Sequence, residues 1–236
     1  MTLKQERHVL LVFPHPDDEA FSCAGAVRIY ANMGVPVTYA CLTLGEMGRN
    51  LGNPPFATRE SLPEIRRVEL KKAAEAMGVS DLRMLGFRDK TIEFEDDEKM
   101  VRLVEDLITE TNPSLIITFL PGFAVHPDHE ATARAVVEAV RRMPKGTRPV
   151  IWGCAFANDT VARNGEAPIQ LDISSVKADK VAALRAHESQ TAWMMAETSK
   201  RIEEGQPMSE SWLNVEKFYI VQHDDETEHS IDSSFL

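Results

Sequence analysis

Cysteine is scarce in this chain of 236 residues, and its scarcity excludes several classes of protein. The three cysteines, Cys23, Cys41 and Cys154, are odd in number and lie far apart. A disulfide framework or a cysteine-based zinc finger needs cysteines at regular, paired spacings, so this pattern argues against both. We therefore expect a cytoplasmic protein, kept in a reducing compartment.

Basic charge and long apolar runs are also lacking. The chain has 26 Lys and Arg against 37 Asp and Glu, a net charge of −11, which argues against a surface for nucleic acid or anionic membrane. No apolar stretch approaches the roughly 18 residues of a transmembrane helix, and residues 1–7 lack the apolar core of a signal peptide. Hydrophobic residues still make up 43% of the chain, enough for a sizeable core.

Continuous apolar runs of strand length alternate with helical patterns along the chain. Such runs are typical of strands that are buried on both faces of a parallel sheet. The pattern therefore predicts an α/β fold, with a mostly parallel sheet and helices on both faces. Strands are expected at residues 8–13, 37–44, 82–87, 115–120, 150–157, 169–173 and 215–221, and helices at 18–33, 64–77, 98–111, 128–143 and 176–203.

The chain shows no repeat of fixed period and no linker, so residues 1–222 are expected to form a single domain. Residues 223–236 contain five acids and little to bury, and we expect them to form a flexible acidic tail. Residues 45–63 form a long polar stretch with several glycines and prolines, and a loop of that length inside a compact domain is usually functional or disordered.

One short motif occurs twice. His15-Pro16-Asp17-Asp18-Glu19 follows the first predicted strand, and His126-Pro127-Asp128-His129-Glu130 follows the strand at 115–120. Proline disfavours helical backbone in the residue before it and is favoured at the first position of a helix. We therefore expect His15 and His126 on extended backbone and the residues after each proline in a first helical turn. Loops at the carboxyl ends of parallel strands line one crevice, so the two motifs should face each other.

The residue types in these motifs indicate a metal site. A lone His-Pro-Asp at a helix start is more often an N-cap than a ligand, but two copies after two buried strands favour a ligand role. Imidazole and carboxylate from one turn, with a third ligand from the other motif, can bind a divalent cation and leave a position for water, as in catalytic zinc sites. The spacing leaves open which three residues bind among His15, Asp17, Asp18, His126, Asp128 and His129.

The stretch Pro14 to Glu19 resembles the (A/P)HPDDE signature of the PIG-L/LmbE-like zinc N-deacetylases, and His126 to His129 resembles their second motif. The resemblance implies a Rossmann-like fold and zinc-dependent hydrolysis of N-acetylglucosaminyl amides. Two imidazoles and a carboxylate would also accept Fe²⁺. The resemblance also implies these roles: His15, Asp18 and His129 as ligands of one metal ion, Asp17 as general base, His126 as the group that polarises the oxyanion and protonates the leaving amine, and Asp128 as the residue that orients His126.

Three further segments resemble the same family. Arg66 is the first residue of an R-x-x-E-L motif in the helix predicted at 64–77, and the resemblance implies that it contacts substrate. By spacing alone, Arg66 and Glu69 would form a surface i, i+3 pair. Asp89 ends a strand from which the family's aspartate approaches the sugar. Residues 186–190 resemble a late H-x-S-Q motif, and we interpret His187 as structural rather than as a ligand.

Residues 42–62 resemble the substrate loop of a subgroup that acts in bacillithiol biosynthesis, which implies N-acetylglucosaminyl malate as substrate. Arg49, Arg59 and Arg66 would bring cations near the strand ends of an acidic protein, where they could bind the carboxylates of malate. The alternative is that they neutralise nearby glutamates. The family resemblance also implies a homo-oligomer, with a small amino sugar as the ligand and no nucleic-acid or membrane partner.

Other functions remain as alternatives. Within the same chemistry, the chain could be an amidase of bacillithiol S-conjugates or a generic N-acetylglucosamine deacetylase. A metal-dependent phosphoesterase would also place carboxylates and histidines at strand ends, but the ligands are too few for the usual second metal. A nucleotide-binding module would need G-x-G-x-x-G after the first strand, where Phe13-Pro14-His15-Pro16 stands instead.

Overall fold

The computed structural model describes residues 3–203 and 211–222. The strands are β1 (Val9–Phe13), β2 (Val37–Thr43), β3 (Asp81–Phe87), β4 (Leu115–Phe119), β5 (Val150–Cys154), β6 (Ile169–Asp172) and β7 (Val215–Ile220). The helices are α1 (Asp18–Ser22), α2 (Ala24–Asn32), α3 (Leu62–Met77), α4 (Asp97–Thr111), α5 (Pro127–Arg142), α6 (Thr160–Asn164), α7 (Lys177–Ala186), α8 (Glu188–Glu203) and α9 (Ser211–Asn214). Short 3₁₀ turns occur at Ile92–Phe94, Lys145–Thr147 and Ser174–Val176.

The strands form one sheet in the order β3-β2-β1-β4-β5-β7-β6. β1 to β5 are parallel to one another, whereas β7 runs antiparallel to both β5 and β6. The predicted α/β fold with a mostly parallel sheet is confirmed. The direction of the strand order reverses between β1 and β4, and the carboxyl ends of those two strands therefore flank the crevice where such sheets bind ligands.

The core lies on both faces of the sheet, as the apolar runs predict. In β1, Val9, Leu11 and Phe13 belong to one hydrophobic cluster, which includes side chains of α2, α3 and α7. The intervening Leu10 and Val12 belong to the opposite cluster, with side chains of α4 and α5. Successive side chains of a strand point to opposite faces, so a strand covered by helices on both sides must be apolar throughout.

The prediction of a single helix at 18–33 is wrong in one respect, because the structure has two helices that meet at Cys23. Cys23 leaves the helical conformation (φ −149°, ψ 13°), and α2 begins at the next residue. The carboxylate of Glu216 accepts hydrogen bonds from the backbone N–H groups of Gly25 (2.9 Å) and Ala26 (2.8 Å). An acid at a helix N-terminus satisfies donors that lack a partner within the helix, so a residue 190 positions away fixes the start of α2.

Glu216 also forms an ion pair with Lys180, and we expect this pair to matter for stability. Lys180 Nζ lies 2.6 Å from Glu216 Oε1, and both side chains are completely buried. Replacing Lys180 with Met leaves a buried carboxylate without its cation and should lower the free energy of unfolding by about 3–5 kcal/mol. Urea unfolding followed by circular dichroism measures this change.

Lys217→Met is the matched control for that prediction. The adjacent Lys217 forms a solvent-exposed pair with Glu166 at 3.4 Å, and such pairs contribute at most about 1 kcal/mol. An equal effect of the two substitutions would contradict a special role for the buried pair.

The single domain expected over residues 1–222 stays a prediction. The expected acidic tail at 223–236 lies outside the described residues.

Candidate active site

The two H-P-D motifs meet at the crevice between β1 and β4. His126 is on extended backbone (φ −111°, ψ 137°) and precedes α5, as expected of a residue before proline. Asp128 and His129 lie in the first turn of α5. On the other side, Asp18 begins α1, but Asp17 does not adopt the helical conformation expected of it: its φ is 104°.

Three side chains converge on one point. His15 Nδ1 lies 3.1 Å from His129 Nε2, and the Asp18 carboxylate lies 3.5 Å from His15 Nδ1 and 3.3 Å from His129 Nε2. Ligands bonded to a tetrahedral zinc at about 2.0–2.2 Å are roughly 3.3–3.6 Å apart, so these spacings fit one metal ion. Burial opposes ionisation of Asp18, but the imidazoles of His129 and His15 hold its pKa far below the ordinary value.

Hydrogen bonds on the far side of each imidazole favour the same site. His129 Nδ1 lies 3.1 Å from the carbonyl oxygen of Ala124, which only accepts, so Nδ1 carries the proton and Nε2 is free to bind a cation. His15 Nε2 lies 3.1 Å from Asp89 Oδ1 and 3.2 Å from Asp128 Oδ2, so His15 Nδ1 is left as the ligand atom. Carboxylates that hold ligand histidines in this way are typical of metal sites.

Wider groupings of possible ligands also exist in the described part of the chain. One adds His126 to the two histidines, and the other joins His15 to Asp89 and Asp128. In the second grouping, however, the carboxylates face Nε2, the nitrogen turned away from Asp18 and His129. We therefore favour Asp89 and Asp128 as residues that orient His15.

The contacts of Asp128 correct its expected role. Its carboxylate was expected to orient His126, but it accepts hydrogen bonds from His15 Nε2 and from the backbone N–H groups of Lys90 (2.7 Å) and Ile92 (3.1 Å). What joins Asp128 to His126 is a backbone contact, in which the Asp128 N–H donates to His126 Nδ1 at 3.1 Å. The side chain of Asp128 thus supports the candidate metal ligand.

The same backbone contact determines which ring nitrogen of His126 carries the proton. Because Nδ1 accepts a hydrogen bond from its own helix, the neutral ring carries its proton on Nε2. Burial and the neighbouring His15 and His129 lower the pKa of His126, which favours this neutral form. The structure therefore favours His126 as a neutral hydrogen-bond donor, which fits its expected role at the oxyanion but not its expected role as the acid that protonates the leaving amine.

Asp17 lies beside the ligand set without completing it. Its carboxylate pairs with Arg66 Nη2 at 3.1 Å, and about a fifth of the side chain is exposed. Burial raises the pKa of Asp17 to about 6, although Arg66 opposes the shift. A carboxylate of this pKa can accept a proton near neutral pH, as a general base must. Its positive φ costs of order 1–3 kcal/mol, a strain that is often found at functional sites.

Arg66, which was expected to contact substrate, is bound to the protein, but it also borders the cavity over the site, so the expected contact stays a prediction. It is buried, and besides Asp17 it donates hydrogen bonds to the carbonyl oxygens of Gly45 (2.9 Å) and Pro16. The alternative of a surface pair with Glu69 is wrong, because both side chains are buried. Glu69 is buried and accepts hydrogen bonds from Ser189 N (2.6 Å) and Oγ (2.7 Å). Arg66 thus positions Asp17 and the loop that begins at Gly45.

A cavity of about 540 Å³ opens over the site, and all three residues expected to bind substrate, Arg66, Asp89 and Arg49, line it. Asp89 is buried, and besides His15 it accepts a hydrogen bond from Met47 N at 2.8 Å. Arg49 is exposed and lines the cavity together with Lys90, which the sequence did not single out. Arg59 lies on the loop and donates to the carbonyl oxygen of Gly48 at 2.6 Å.

Comparison with known proteins identifies the family. Residues 10–140 match the PIG-L family, described as GlcNAc-PI de-N-acetylase, and the chain belongs to this family. A Bacillus cereus protein named probable N-acetyl-alpha-D-glucosaminyl L-malate deacetylase 2 is 53% identical over 214 residues, which cover 91% of this chain and 97% of the relative. The resemblance stated from the two motifs is confirmed.

Solved structures show the same fold. The N,N'-diacetylchitobiose deacetylase of Pyrococcus horikoshii superposes with a TM-score of 0.67 at 24% identity, covering 92% of this chain and 84% of that chain. GalB of Pseudomonas putida, a 4-carboxy-2-hydroxymuconate hydratase, superposes with a TM-score of 0.66 at 20% identity, covering 92% of this chain and 96% of GalB. Since a deacetylase and a hydratase share this fold, the fold alone does not define the reaction. Among the described residues, no helix is long and apolar enough to span a membrane.

Proposed function

We propose that this protein is a metal-dependent N-deacetylase that removes acetate from N-acetylglucosaminyl malate. The observation that carries the proposal is the position of Asp17, a carboxylate with a raised pKa that lines the same cavity as His15, Asp18 and His129. This arrangement provides a general base next to a cation site, which hydrolysis of an amide requires. The names of the relatives, at 46–53% identity, support the same reaction.

His15, Asp18 and His129 would hold the metal, and zinc is the ion we propose, with Fe²⁺ as the other ion that accepts this ligand set. A divalent cation at this point supplies Lewis acidity, which polarises a carbonyl and lowers the pKa of water. The metal would be bound by two imidazole nitrogens and one carboxylate, and the carboxylates of Asp89 and Asp128 contact the opposite nitrogen of His15.

The side chains of Asp17, Arg66 and His126 carry out the proton transfers and stabilise the transition state. Asp17 takes a proton from the attacking water, and the Arg66 guanidinium holds the carboxylate in place while it does so. His126 donates its Nε2–H toward the carbonyl oxygen as negative charge develops there, which stabilises the transition state. The proton held by Asp17 then passes to the leaving nitrogen, so that the products are acetate and the free amine.

The proposed substrate follows from the charge at the cavity. Arg49 and Lys90 are both exposed and line it, and within the described residues neither side chain has an ionic partner. Two unpaired cations near a site otherwise rich in carboxylates favour a substrate with anionic groups away from the acetyl group. Malate, with two carboxylates, provides them, and a charge-assisted hydrogen bond contributes about 1.5–3 kcal/mol.

We expect N-acetylglucosaminyl malate to be deacetylated at least about tenfold more efficiently than free N-acetylglucosamine, because one such contact exceeds the 1.4 kcal/mol that corresponds to a factor of ten. The measurement is kcat/KM for acetate release from the two sugars. Arg49→Ala and Lys90→Ala should each reduce the preference, mainly by raising KM for the malate glycoside.

Arg88→Ala is the matched control, because Arg88 is an exposed cation two residues from Lys90 that does not line the cavity. Equal efficiency on both sugars would indicate a generic N-acetylglucosamine deacetylase. Faster cleavage of a bacillithiol S-conjugate than of the malate glycoside would indicate the conjugate amidase instead. The expected homo-oligomer and cytoplasmic location stay predictions.

A further inference from the structure

The H-x-S-Q segment contains a buried histidine that the proposed reaction does not use. His187 lies between α7 and α8, and no part of it is exposed. Its Nε2 lies 2.6 Å from Glu19 Oε1, while its Nδ1 is buried without a hydrogen-bond partner in the described part of the chain. The one strong contact of this imidazole is therefore with Glu19.

Glu19 connects His187 to Asp17. Its second oxygen, Oε2, accepts a hydrogen bond from the backbone N–H of Asp17 at 3.1 Å and another from the hydroxyl of Tyr39 at 2.8 Å. Glu19, Tyr39 and His187 are all completely buried. A chain of hydrogen bonds thus runs from the start of α8, through Glu19, to the backbone of the candidate general base.

This chain of hydrogen bonds ends at Asp17, whose backbone conformation is unusual. Asp17 has a φ of 104°, a backbone conformation that residues other than glycine rarely adopt. Strained backbone persists only where surrounding contacts determine it. Two side chains hold Asp17, since Arg66 binds the carboxylate and Glu19 accepts a hydrogen bond from the backbone N–H. Apolar side chains would fill the same space without the desolvation cost of two ionisable groups, which argues against a packing role alone.

We propose that His187 and Glu19 are positioning residues, which hold Asp17 in its left-handed conformation so that its carboxylate faces the substrate. The proposal rests on the proposed function, because it assumes that Asp17 is the general base. His187 acts through Glu19 and touches neither substrate nor metal. The alternative is a structural role, in which His187 only joins α7 and α8 to α1.

The test is a double-mutant cycle between His187→Leu and Asp17→Asn, assayed with N-acetylglucosaminyl malate. In the otherwise unaltered enzyme, His187→Leu should lower kcat by about ten- to a hundredfold and leave KM and metal content nearly unchanged. In the Asp17→Asn enzyme it should cause no further loss, since the residue it positions is no longer a base. A structural role predicts the same loss in both backgrounds, and that result would overturn the proposal.

A milder variant tests the same proposal in case His187→Leu prevents folding. Tyr39→Phe keeps the ring and removes the hydroxyl, which donates to Glu19 at 2.8 Å and more weakly to the His15 carbonyl oxygen at 3.3 Å. It should therefore lower kcat less, again only when Asp17 is present, and should leave the metal content unchanged. Thr191→Val is the matched structural control: Thr191 donates hydrogen bonds to the Leu184 and His187 carbonyls but contacts neither Glu19 nor Asp17. We expect its kcat to stay within about twofold of the unaltered enzyme, and a loss equal to that of Tyr39→Phe would contradict the proposal.

A second readout does not depend on activity. Hydrogen–deuterium exchange of a peptide spanning residues 14–20 should quicken in His187→Leu, because Glu19 no longer holds the Asp17 N–H firmly, and should be unchanged in Thr191→Val. Unchanged exchange in His187→Leu would overturn the proposal. An unaltered enzyme that releases no acetate from the malate glycoside would instead refute the proposed function, so the two failures are distinguishable.

Discussion

Replacing Asp17 with Asn should lower kcat by about two to four orders of magnitude, the range for removal of a general base. Asparagine has the same shape and can still accept a hydrogen bond from Arg66, but it cannot take a proton from water. The three proposed ligands do not include Asp17, so the variant should retain one metal ion per chain and a nearly unchanged KM. Steady-state kinetics together with metal analysis of the purified variant measure both quantities.

Asp172→Asn is the control for this prediction. Asp172 is an exposed acid at the end of β6, where its carboxylate accepts a hydrogen bond from Ser174 N at 2.9 Å. We expect its kcat to equal that of the unaltered enzyme. Loss of the metal in Asp17→Asn would show that Asp17 is a ligand, and a decrease in kcat of less than about tenfold would exclude it as the general base.

The parts of the fold and site that the sequence predicts are those fixed by local pattern. The run Val9–Phe13 is buried at every position, as a central strand between two layers of helices requires. The prolines after His15 and His126 place both histidines where strand gives way to helix, and parallel strands bring those ends to one edge. The sequence alone therefore predicts that two histidines 114 residues apart lie close together, and His15 Nδ1 lies 3.1 Å from His129 Nε2.

The features that the sequence does not predict depend on contacts between distant residues. A proline followed by two acids is typical of a first helical turn, yet Asp17 is held out of it by Arg66 and Glu19. The helix pattern at 18–33 does not predict the break at Cys23, where Glu216 from β7 accepts hydrogen bonds from the first N–H groups of α2. Spacing pairs Arg66 with Glu69, but each instead holds a segment from elsewhere in the chain.

Removing the metal should have the largest effect on the reaction. A Lewis acid at the carbonyl supplies several kcal/mol of transition-state stabilisation, and about 4 kcal/mol corresponds to roughly a thousandfold in rate. We expect a chelator to lower kcat by at least about that factor, and stoichiometric Zn²⁺ or Fe²⁺ to restore it. Comparing the two ions in the same apoprotein, by kcat and by metal affinity, identifies the better cofactor.

Substitution of the ligands tests the location of the metal. His129→Ala removes one of the three proposed ligands and should abolish stoichiometric metal binding. Asp89→Asn leaves the three ligands intact and weakens only the contact that orients His15, so it should weaken metal affinity by about 10–100-fold. His8→Ala is the control, because His8 lies at the start of β1 and contacts Thr38 at 2.9 Å, away from the site. Because His129 Nε2 has both His15 and Asp18 within 3.3 Å, a His129→Ala variant that keeps its metal and its activity would contradict the proposed centre.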